Sequence, residues 1–248
     1  MAAKKGPDTT GGAAEGRARA STERRGGGPA ADRSDRWGEE FGEVTQPAAR
    51  RLLLAAVEAF AERGFHATTT RDIAGRAGMS PAALYIHYRT KEELLYQISR
   101  VGHERAVRIL TEAAEGEGTP ARRLATAVRR FVLWHAERHT SARVVQYELA
   151  ALEERHYAEM VALRRRSEEL LRRVLVEGVA AGEFAVEDVR GTAVAVLSLC
   201  IDVARWYHPD TRRRPEDIAD LYAELVLRMV SARPTGAPAE AAGDPDVR

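Results

Sequence analysis

The fold is decided by the stretch TTTRDIAGRAGMSPAALYIHYRTKEELL, which occupies residues 68–95. Its first part predicts a short helix from about Thr70 to Ala77, because threonine is a favourable N-cap and Asp72 adds negative charge to the first turn. Gly78 follows at the position where a residue in the left-handed conformation commonly ends a helix. The stretch therefore opens with a short helix and a tight turn.

A second short helix is predicted from Pro81 to about His87. Ser80 is a favourable N-cap, and proline is well tolerated at the first helical position because its missing N–H has no helical partner there. Leu84 is the expected inward-facing residue of this helix. Two short helices joined by a glycine-containing turn have the geometry of a helix-turn-helix, whose second helix enters the major groove of DNA.

A third helix is predicted to begin after Thr90, which forms a capping-box pattern with Glu93. Lys91 lies in the first turn of that helix, where exposed N–H groups and a positive charge favour a phosphate. Small residues and tyrosines on the second helix suit a close approach to the major groove, to phosphates and to thymine methyl groups. The predicted DNA-binding residues are Thr68, Thr69, Thr70, Ser80, Pro81, Ala82, Ala83, Tyr85, His87, Tyr88 and Lys91.

Residues 46–98 resemble the DNA-binding domain of the TetR family of transcriptional regulators. The matching positions are Arg51, Leu54, Ala56, Ala59, Phe60, Gly64, Phe65, Thr68, Thr69, Ile73, Ala74, Ala77, Gly78, Ser80, Leu84, Tyr85, His87, Tyr88, Lys91, Glu93 and Leu94. The resemblance implies an all-α homodimer with a recognition helix at residues 81–88, a palindromic operator in double-stranded DNA, and a C-terminal domain whose small-molecule effector releases the operator. Two positions depart from the family pattern: His66 replaces a polar or small residue, and Ile86 replaces a residue that is often aromatic.

The charge of the chain is almost balanced, since its 248 residues carry a formal net charge of +1. Residues 46–99 hold seven basic and five acidic side chains, so no strongly basic field surrounds the predicted motif. We therefore expect DNA affinity to depend on the placement of a few contacts and on the presence of two motifs in a dimer.

The single cysteine, Cys200, rules out an intrachain disulfide and is interpreted as a buried small hydrophobe. The longest apolar run, residues 193–201, is too short to cross a bilayer, and no apolar leader is found at the N-terminus. These features predict a cytoplasmic protein without a membrane partner.

The sequence predicts four segments. Residues 1–44 and 233–248 are expected to be disordered tails, because their composition cannot bury a core. Residues 45–95 form the predicted helix-turn-helix domain, and residues 96–232 form the predicted ligand-binding and dimerisation domain. An alternative interpretation makes the first tail a minor-groove arm that uses Arg24, Arg25, Arg33 and Arg36, although a solvated tail is favoured.

The predicted fold class is all-α, with about nine helices and no strand pattern. A helix from Gln46 to Arg63 precedes the motif, and about six helices follow between Glu92 and Ser231. The helix at residues 189–206 is apolar on nearly every face, so it needs a partner beyond its own bundle. With the last helix it predicts a four-helix dimer interface. The apolar stripe of that last helix is Ile218, Leu221, Leu225, Val226 and Met229.

Candidate ligand-binding residues lie on the middle helices and on the next-to-last helix. They are Trp134, His135, Gln146, Tyr147, Asp202, Arg205 and Trp206. A guanidinium beside aromatic rings suits an anionic, partly apolar ligand. Residues 197–227 also resemble the C-terminal domain of TetR regulators that respond to acyl-CoA thioesters or related lipid products, which implies an effector of that class. Structural packing of the same residues is the alternative interpretation.

Enzymatic classes find little support in the sequence. A phosphate-binding glycine loop, a nucleophile elbow and a Cys–His zinc spacing are all missing from it. His135 and His139 have zinc-helix spacing but lack the glutamate that the motif requires after the first histidine, so they are interpreted as a solvated face. We expect no catalytic residue, metal or cofactor. The alternative function is a helical small-molecule-binding or interaction protein that does not bind DNA.

Overall fold

The computed structural model describes residues 46–231 together with Phe41 and Val44. Within these residues the chain forms nine α-helices and no strand, which confirms the predicted fold class. The helices are α1 (Pro47–Ala67), α2 (Thr70–Arg76), α3 (Pro81–His87), α4 (Lys91–Ala114), α5 (Pro120–Glu137), α6 (His139–Tyr147), α7 (Glu154–Ala180), α8 (Val189–Trp206) and α9 (Pro215–Ser231). A short 3-10 turn, Leu149–Ala151, separates α6 from α7.

Local sequence signals explain where α1 and α2 meet. Gly64 interrupts α1 with φ 77° and ψ 164°, a backbone conformation that side chains other than hydrogen disfavour. Thr69 then caps α2 with a complete capping box: its side chain accepts the N–H of Asp72, and the Asp72 carboxylate accepts the N–H of Thr69 at 2.9 Å. The turn after α2 contains Gly78 at φ 67°, as the sequence predicts.

The three N-terminal helices share one apolar core, to which each contributes. Leu52 of α1, Ile73 of α2 and Leu84 of α3 are fully buried and belong to the same cluster. Arg76 strengthens the packing of α2 on α1 through ion pairs with Glu58 and Glu62. We call these three helices the head.

The remaining helices form a bundle around α5, which packs against α4, α7, α8 and α9. The second large apolar cluster lies here and includes Phe131 of α5, Val174 of α7 and Val203 of α8. Helix α4 belongs to both parts, because Leu94 lies in the head core and Ile109 lies in the bundle core. The head is therefore joined to the bundle by a continuous helix.

The predicted first tail needs one correction. Phe41 lies within residues 1–44, yet its side chain is buried and belongs to the apolar core of the head. The proposed arm of Arg24, Arg25, Arg33 and Arg36 and the predicted tail at 233–248 lie outside the described residues.

Helices α8 and α9 leave several large apolar side chains exposed on the single chain. Val194, Leu199 and Trp206 of α8 are exposed, as are Leu225 and Met229 of α9. By contrast, Ile218 and Val226 of the predicted stripe are buried in the bundle. None of the helices described between residues 46 and 231 is both long enough and apolar enough to cross a membrane.

A glycine inside α7 gives a test of the packing. A Cβ at Gly178 would overlap the buried ring of Phe184, so Gly178→Ala should lower the free energy of unfolding by about 1–3 kcal/mol through overpacking. The matched control is Gly75→Ala, since a Cβ at this exposed helical position meets no atom within 4 Å. Gly75→Ala reduces the conformational freedom of the unfolded backbone, so it should raise the free energy of unfolding by about 0.5–1 kcal/mol. Urea unfolding at one fixed protein concentration measures both changes, and equal stability of the two variants would contradict the packing.

Candidate nucleic-acid interface and internal cavity

Helix α3 has the surface expected of a recognition helix. Its only buried residue is Leu84, which faces the core of the head. On the other side, 51% of Tyr85 and 80% of Ile86 are exposed. Ser80 caps the helix by accepting the N–H of Ala83 at 3.1 Å. Two large side chains and a row of small ones are thus free to meet a partner.

The structure brings the predicted contacts of α2 and α3 together. The hydroxyl groups of Thr70 and Tyr85 are hydrogen-bonded at 3.1 Å, although the two residues belong to different helices. The bond fixes the ring of Tyr85 beside the first turn of α2. Four further residues of the predicted set are exposed and therefore accessible to DNA: Thr69, Ser80, Pro81 and Ala82.

Two residues of the predicted DNA-binding set are instead structural. Thr68 is buried, and its hydroxyl donates to the carbonyl oxygens of Gly64 at 2.8 Å and Ala59 at 3.1 Å. Tyr88 is also buried, and burial raises the pKa of its phenol to about 12. Neither side chain reaches the surface, because both complete the core beneath it.

Lys91 requires a similar correction. Its ammonium donates to the carbonyl oxygens of Phe65 at 2.6 Å and Thr68 at 2.8 Å, and it lies 4.2 Å from the centre of the Phe65 ring. These carbonyls belong to the end of α1, where helical partners are missing. Lys91 therefore caps α1 from the start of α4, and this use of its N–H groups competes with the predicted phosphate contact.

The same peptide segment is held from the bundle side. Glu148, directly after α6, accepts the N–H of Phe65 at 3.1 Å. Val144 of α6 is buried and belongs to the apolar core of the head. Lys91 from the start of α4 and Glu148 from the end of α6 thus both hold the backbone around Phe65, and we call this arrangement the Phe65 clamp.

A cavity of about 560 Å³ lies within the bundle. Helices α4 to α8 all contribute to its wall, and the buried ring of Phe41 also lines it. Apolar side chains such as Phe131 and Leu197 form much of the lining. A concave, mainly apolar cavity of this size is typical of small-molecule sites.

The cavity includes four of the seven predicted ligand-binding residues. Those four are Trp134, His135, Gln146 and Asp202. Tyr147 is exposed and lies outside it, as do Arg205 and Trp206. Arg205 instead pairs with Asp202, with Nε 2.7 Å from Oδ1, and this bond lowers the pKa of the Asp202 carboxyl.

Two buried histidines line the cavity, and both are uncharged at neutral pH. The Nδ1 of His103 lies 2.8 Å from the carbonyl oxygen of Ser99, and the Nδ1 of His135 lies 2.8 Å from that of Phe131. A carbonyl only accepts, so Nδ1 carries the hydrogen and Nε2 is left as an acceptor. Burial lowers the pKa of each ring to about 4. The predicted solvated face at His135 is therefore wrong.

Sequence reasoning missed the basic side chains of the cavity. Arg164 and Arg165 of α7 both line it, and the Nε of Arg164 donates to the Nε2 of His103 at 3.2 Å. In the sequence they belong to an arginine run that is typical of a solvated helix face. No local sequence pattern pointed to His103 either, because Arg164, its hydrogen-bond partner, is 61 residues away in the sequence.

A second polar group joins α4 to α7 near the head. Glu92 accepts the Nδ1–H of His156 at 2.7 Å and the backbone N–H of Glu153 at 3.1 Å, and Tyr96 stacks on the His156 ring at 3.7 Å. The hydrogen bonds account for the closeness of these side chains. This group positions the start of α7 against α4.

Two family models match this chain. Residues 52–98 match the tetR family of bacterial regulatory proteins, and residues 117–230 match the tetracyclin repressor-like C-terminal domain. The solved structure of a tetR-family regulatory protein from Rhodococcus RHA1 is 44% identical, with 75% of this chain and 98% of that one covered and a TM-score of 0.72. The chain belongs to the TetR family. Its function as a DNA-binding transcriptional regulator, predicted from residues 68–95, is confirmed.

Other members of the TetR family are more distant. The transcriptional repressor KstR2 of Mycolicibacterium smegmatis is 28% identical over 187 residues, which cover 74% of this chain and 91% of the repressor. The structure of AibR in complex with isovaleryl coenzyme A and operator DNA is 22% identical, with 74% of this chain and 98% of AibR covered and a TM-score of 0.66. AibR therefore shares the fold of this chain.

Ile86 is the exposed residue of α3 that the predicted DNA-binding set omitted. A branched apolar side chain that is 80% exposed is suited to contact a thymine methyl group in the major groove. We expect Ile86→Ala to weaken binding to a duplex selected by the wild-type protein from a random pool by roughly fivefold, or about 1 kcal/mol. The urea midpoint should stay unchanged, because little burial is lost.

Val179→Ala is the matched control for Ile86→Ala, since Val179 is an exposed apolar residue of the bundle. It should leave DNA affinity unchanged. Wild-type affinity of the Ile86→Ala variant, measured by fluorescence anisotropy, would contradict the predicted contact.

The buried histidines predict a pH dependence of stability. In the folded chain the pKa of His103 and of His135 is about 4, whereas an unfolded histidine has a pKa of about 6.5. The unfolded state therefore binds more protons in between, so stability is complete above about pH 6.5 and falls as the pH drops towards 4. From pH 7 to pH 5.5 we expect a loss of about 1 kcal/mol for each histidine.

Urea titrations at several pH values measure this loss. His135→Asn should remove part of the histidine-dependent slope, whatever its effect on absolute stability, and the rest comes from His103 and from the partly buried His139, whose pKa burial also lowers. His66→Gln, at an exposed position of the head, is the control variant. A slope that is the same in His135→Asn and in the wild type would refute the assignment.

Proposed function

We propose that this chain is a cytoplasmic, homodimeric repressor whose operator affinity falls when a small lipophilic or acyl-CoA-type effector enters the cavity. KstR2 is a transcriptional repressor, and AibR has been solved in complex with isovaleryl coenzyme A and operator DNA, which supports a repressor that binds both DNA and an acyl-CoA. Residues 45–95 bind DNA, residues 96–232 bind the effector and the second subunit, and no catalytic activity is assigned to either part.

The observation that carries the proposal is the position of α6 between the cavity and the head. Ser141, Val145 and Gln146 of this helix line the cavity. Val144 of the same helix is buried in the head core, and Glu148 at its end holds the N–H of Phe65. A ligand that displaces α6 must therefore disturb the packing of the head.

The Phe65 clamp gives this disturbance a path to the recognition helix. Phe65 lies in the last turn of α1, directly after the break at Gly64 and shortly before Thr69, the N-cap of α2. The hydroxyl of Thr70 in α2 is hydrogen-bonded to that of Tyr85 in α3. A change at Phe65 that moves α2 therefore alters the position of the recognition helix. The effector lowers operator affinity only if it binds the displaced arrangement more tightly than the DNA-binding one.

The proposed DNA-contacting surface consists of the exposed and partly exposed residues of the predicted set, without Lys91. Its members are Thr69, Thr70, Ser80, Pro81, Ala82, Ala83, Tyr85 and His87, with Ile86 added. A nearly neutral head needs a second copy, because affinity for nucleic acid grows with the number of phosphate and base contacts. In a two-fold dimer the recognition helices would lie about one DNA turn apart, roughly 34 Å.

The exposed apolar residues of α8 and α9 are the proposed dimer interface. Trp206 of α8 and Leu225 and Met229 of α9 are large apolar side chains that remain exposed on the single chain. A self-complementary surface of this kind is buried by a second copy under two-fold symmetry. Pairing of α8 and α9 from two chains makes a four-helix interface.

A gel-shift assay on the promoter region of the chain's own gene tests the proposal. We expect a specific shift whose protein mass, measured by light scattering, corresponds to two chains, with weaker binding as salt increases. If no duplex is shifted even at low salt, the regulator proposal fails, and the alternative of a helical small-molecule-binding protein gains support.

Glu148→Ala tests the coupling. Loss of a hydrogen bond to a part-buried N–H costs about 1–1.5 kcal/mol, so the Phe65 amide should exchange with solvent about tenfold faster and operator affinity should fall severalfold. Glu148→Gln keeps an acceptor and should have a smaller effect. Glu154→Ala, which removes an exposed carboxylate at the start of α7, is the matched control. Unchanged exchange and affinity in Glu148→Ala would rule out a role for the clamp.

A further inference from the structure

We infer that the cavity selects an amphiphile whose anionic group is held at the cavity mouth by Arg164, with Arg165 beside it, while its apolar part fills the interior. This inference rests on the proposed function, because it names the chemical class of the effector. It assigns the recognition of charge to two residues of α7, and the recognition of apolar shape to the rest of the wall.

The interior of the cavity suits an apolar group. Phe131, Trp134, Leu197 and Ile201 line it, and their contact with a hydrocarbon chain or ring removes apolar surface from water. The volume of about 560 Å³ accommodates a small molecule but not an entire coenzyme A thioester. A polar portion of a larger ligand must therefore remain at the mouth.

Arg164 is held in position at that mouth by a buried group. Its Nε donates to the Nε2 of His103, whose Nδ1 in turn donates to the carbonyl oxygen of Ser99. The bond at Nε orients the guanidinium plane and leaves its two terminal nitrogens for a ligand. An oriented guanidinium fork is the side chain best matched to a carboxylate or a phosphate.

The charges around the cavity leave a positive excess at this point. Asp202 is neutralised by Arg205 at 2.7 Å, and Glu168 is paired with Arg190 at 3.3 Å. Among the residues that the structure describes, no carboxylate lies within ion-pair distance of Arg164 or Arg165. Burial also lowers the pKa of Arg164, so a bound anion would stabilise its charged form.

The buried part of the cavity wall disfavours an anionic group. His135 is buried there and is neutral, since burial lowers its pKa to about 4. An anion beside it would lose its hydration without gaining a counter-charge, which is costly. The charged end of a ligand is therefore directed towards Arg164 and its apolar end towards Phe131 and Trp134.

An anionic group of this geometry has two sources. One is the carboxylate of a free fatty acid or a similar lipophilic acid, and the other is the phosphates of a coenzyme A thioester whose acyl chain lies in the cavity. Both offer paired anionic oxygens to the guanidinium. Three of the probes share one alkyl chain and differ only at the polar end, and the fourth is the polar end of the thioester without the chain.

Calorimetric titration of the full chain without DNA tests the inference with octanoate, octanoyl-CoA, 1-octanol and coenzyme A. We expect octanoate or octanoyl-CoA to bind at least tenfold more tightly than 1-octanol and coenzyme A. Preference for octanoate identifies a carboxylate, whereas preference for octanoyl-CoA identifies the phosphates. Arg164→Gln should weaken the preferred probe by roughly tenfold, and Arg164→Lys, which keeps the charge but not the fork, should weaken it less.

Arg166→Gln is the matched control, because Arg166 lies two residues further along α7, is exposed and does not line the cavity. It should bind the preferred probe as the wild type does. Equal binding of octanoate, octanoyl-CoA and 1-octanol, the absence of binding by all four probes, or wild-type affinity in Arg164→Gln would each overturn the inference. Operator binding in the gel-shift assay is measured separately, so these failures leave the DNA-binding proposal intact.

Discussion

The whole arrangement depends on how the end of α1 is held at Phe65. The helix is broken by Gly64, which leaves carbonyl and N–H groups without helical partners. Lys91 of α4 supplies donors to the carbonyls, and Glu148 supplies an acceptor to the N–H of Phe65. The segment that seats the recognition helix is therefore stabilised by residues outside the head, and this makes the head sensitive to the bundle.

This constraint also explains why α6 matters more than its nine residues suggest. One face of the helix closes the cavity through Val145 and Gln146, while Val144 packs into the head core. A packed core has discrete arrangements and transmits displacements of its members. A ligand in a cavity far from the DNA surface can thus change that surface without touching it.

The helices of the head could be predicted almost residue by residue. Ser80 and Pro81 start α3, Gly78 ends the preceding turn and Thr69 caps α2, because caps and turns depend on groups within a few residues of one another. The exposure of individual side chains was harder to predict. Thr68 and Tyr88 were expected on the DNA surface but are buried. In a small three-helix head, a polar side chain can face either the solvent or the core, and the local sequence does not specify which.

The sequence by itself determined the helical class, the helix-turn-helix and the family resemblance, because all three depend on short-range patterns. The tertiary structure alone decided the role of Lys91, the bond from Glu148 to Phe65 and the pairing of His103 with Arg164. These contacts join residues that are 26, 83 and 61 positions apart, respectively. No local pattern specifies such pairs, since they arise only when the helices pack and their unpaired polar groups must find partners.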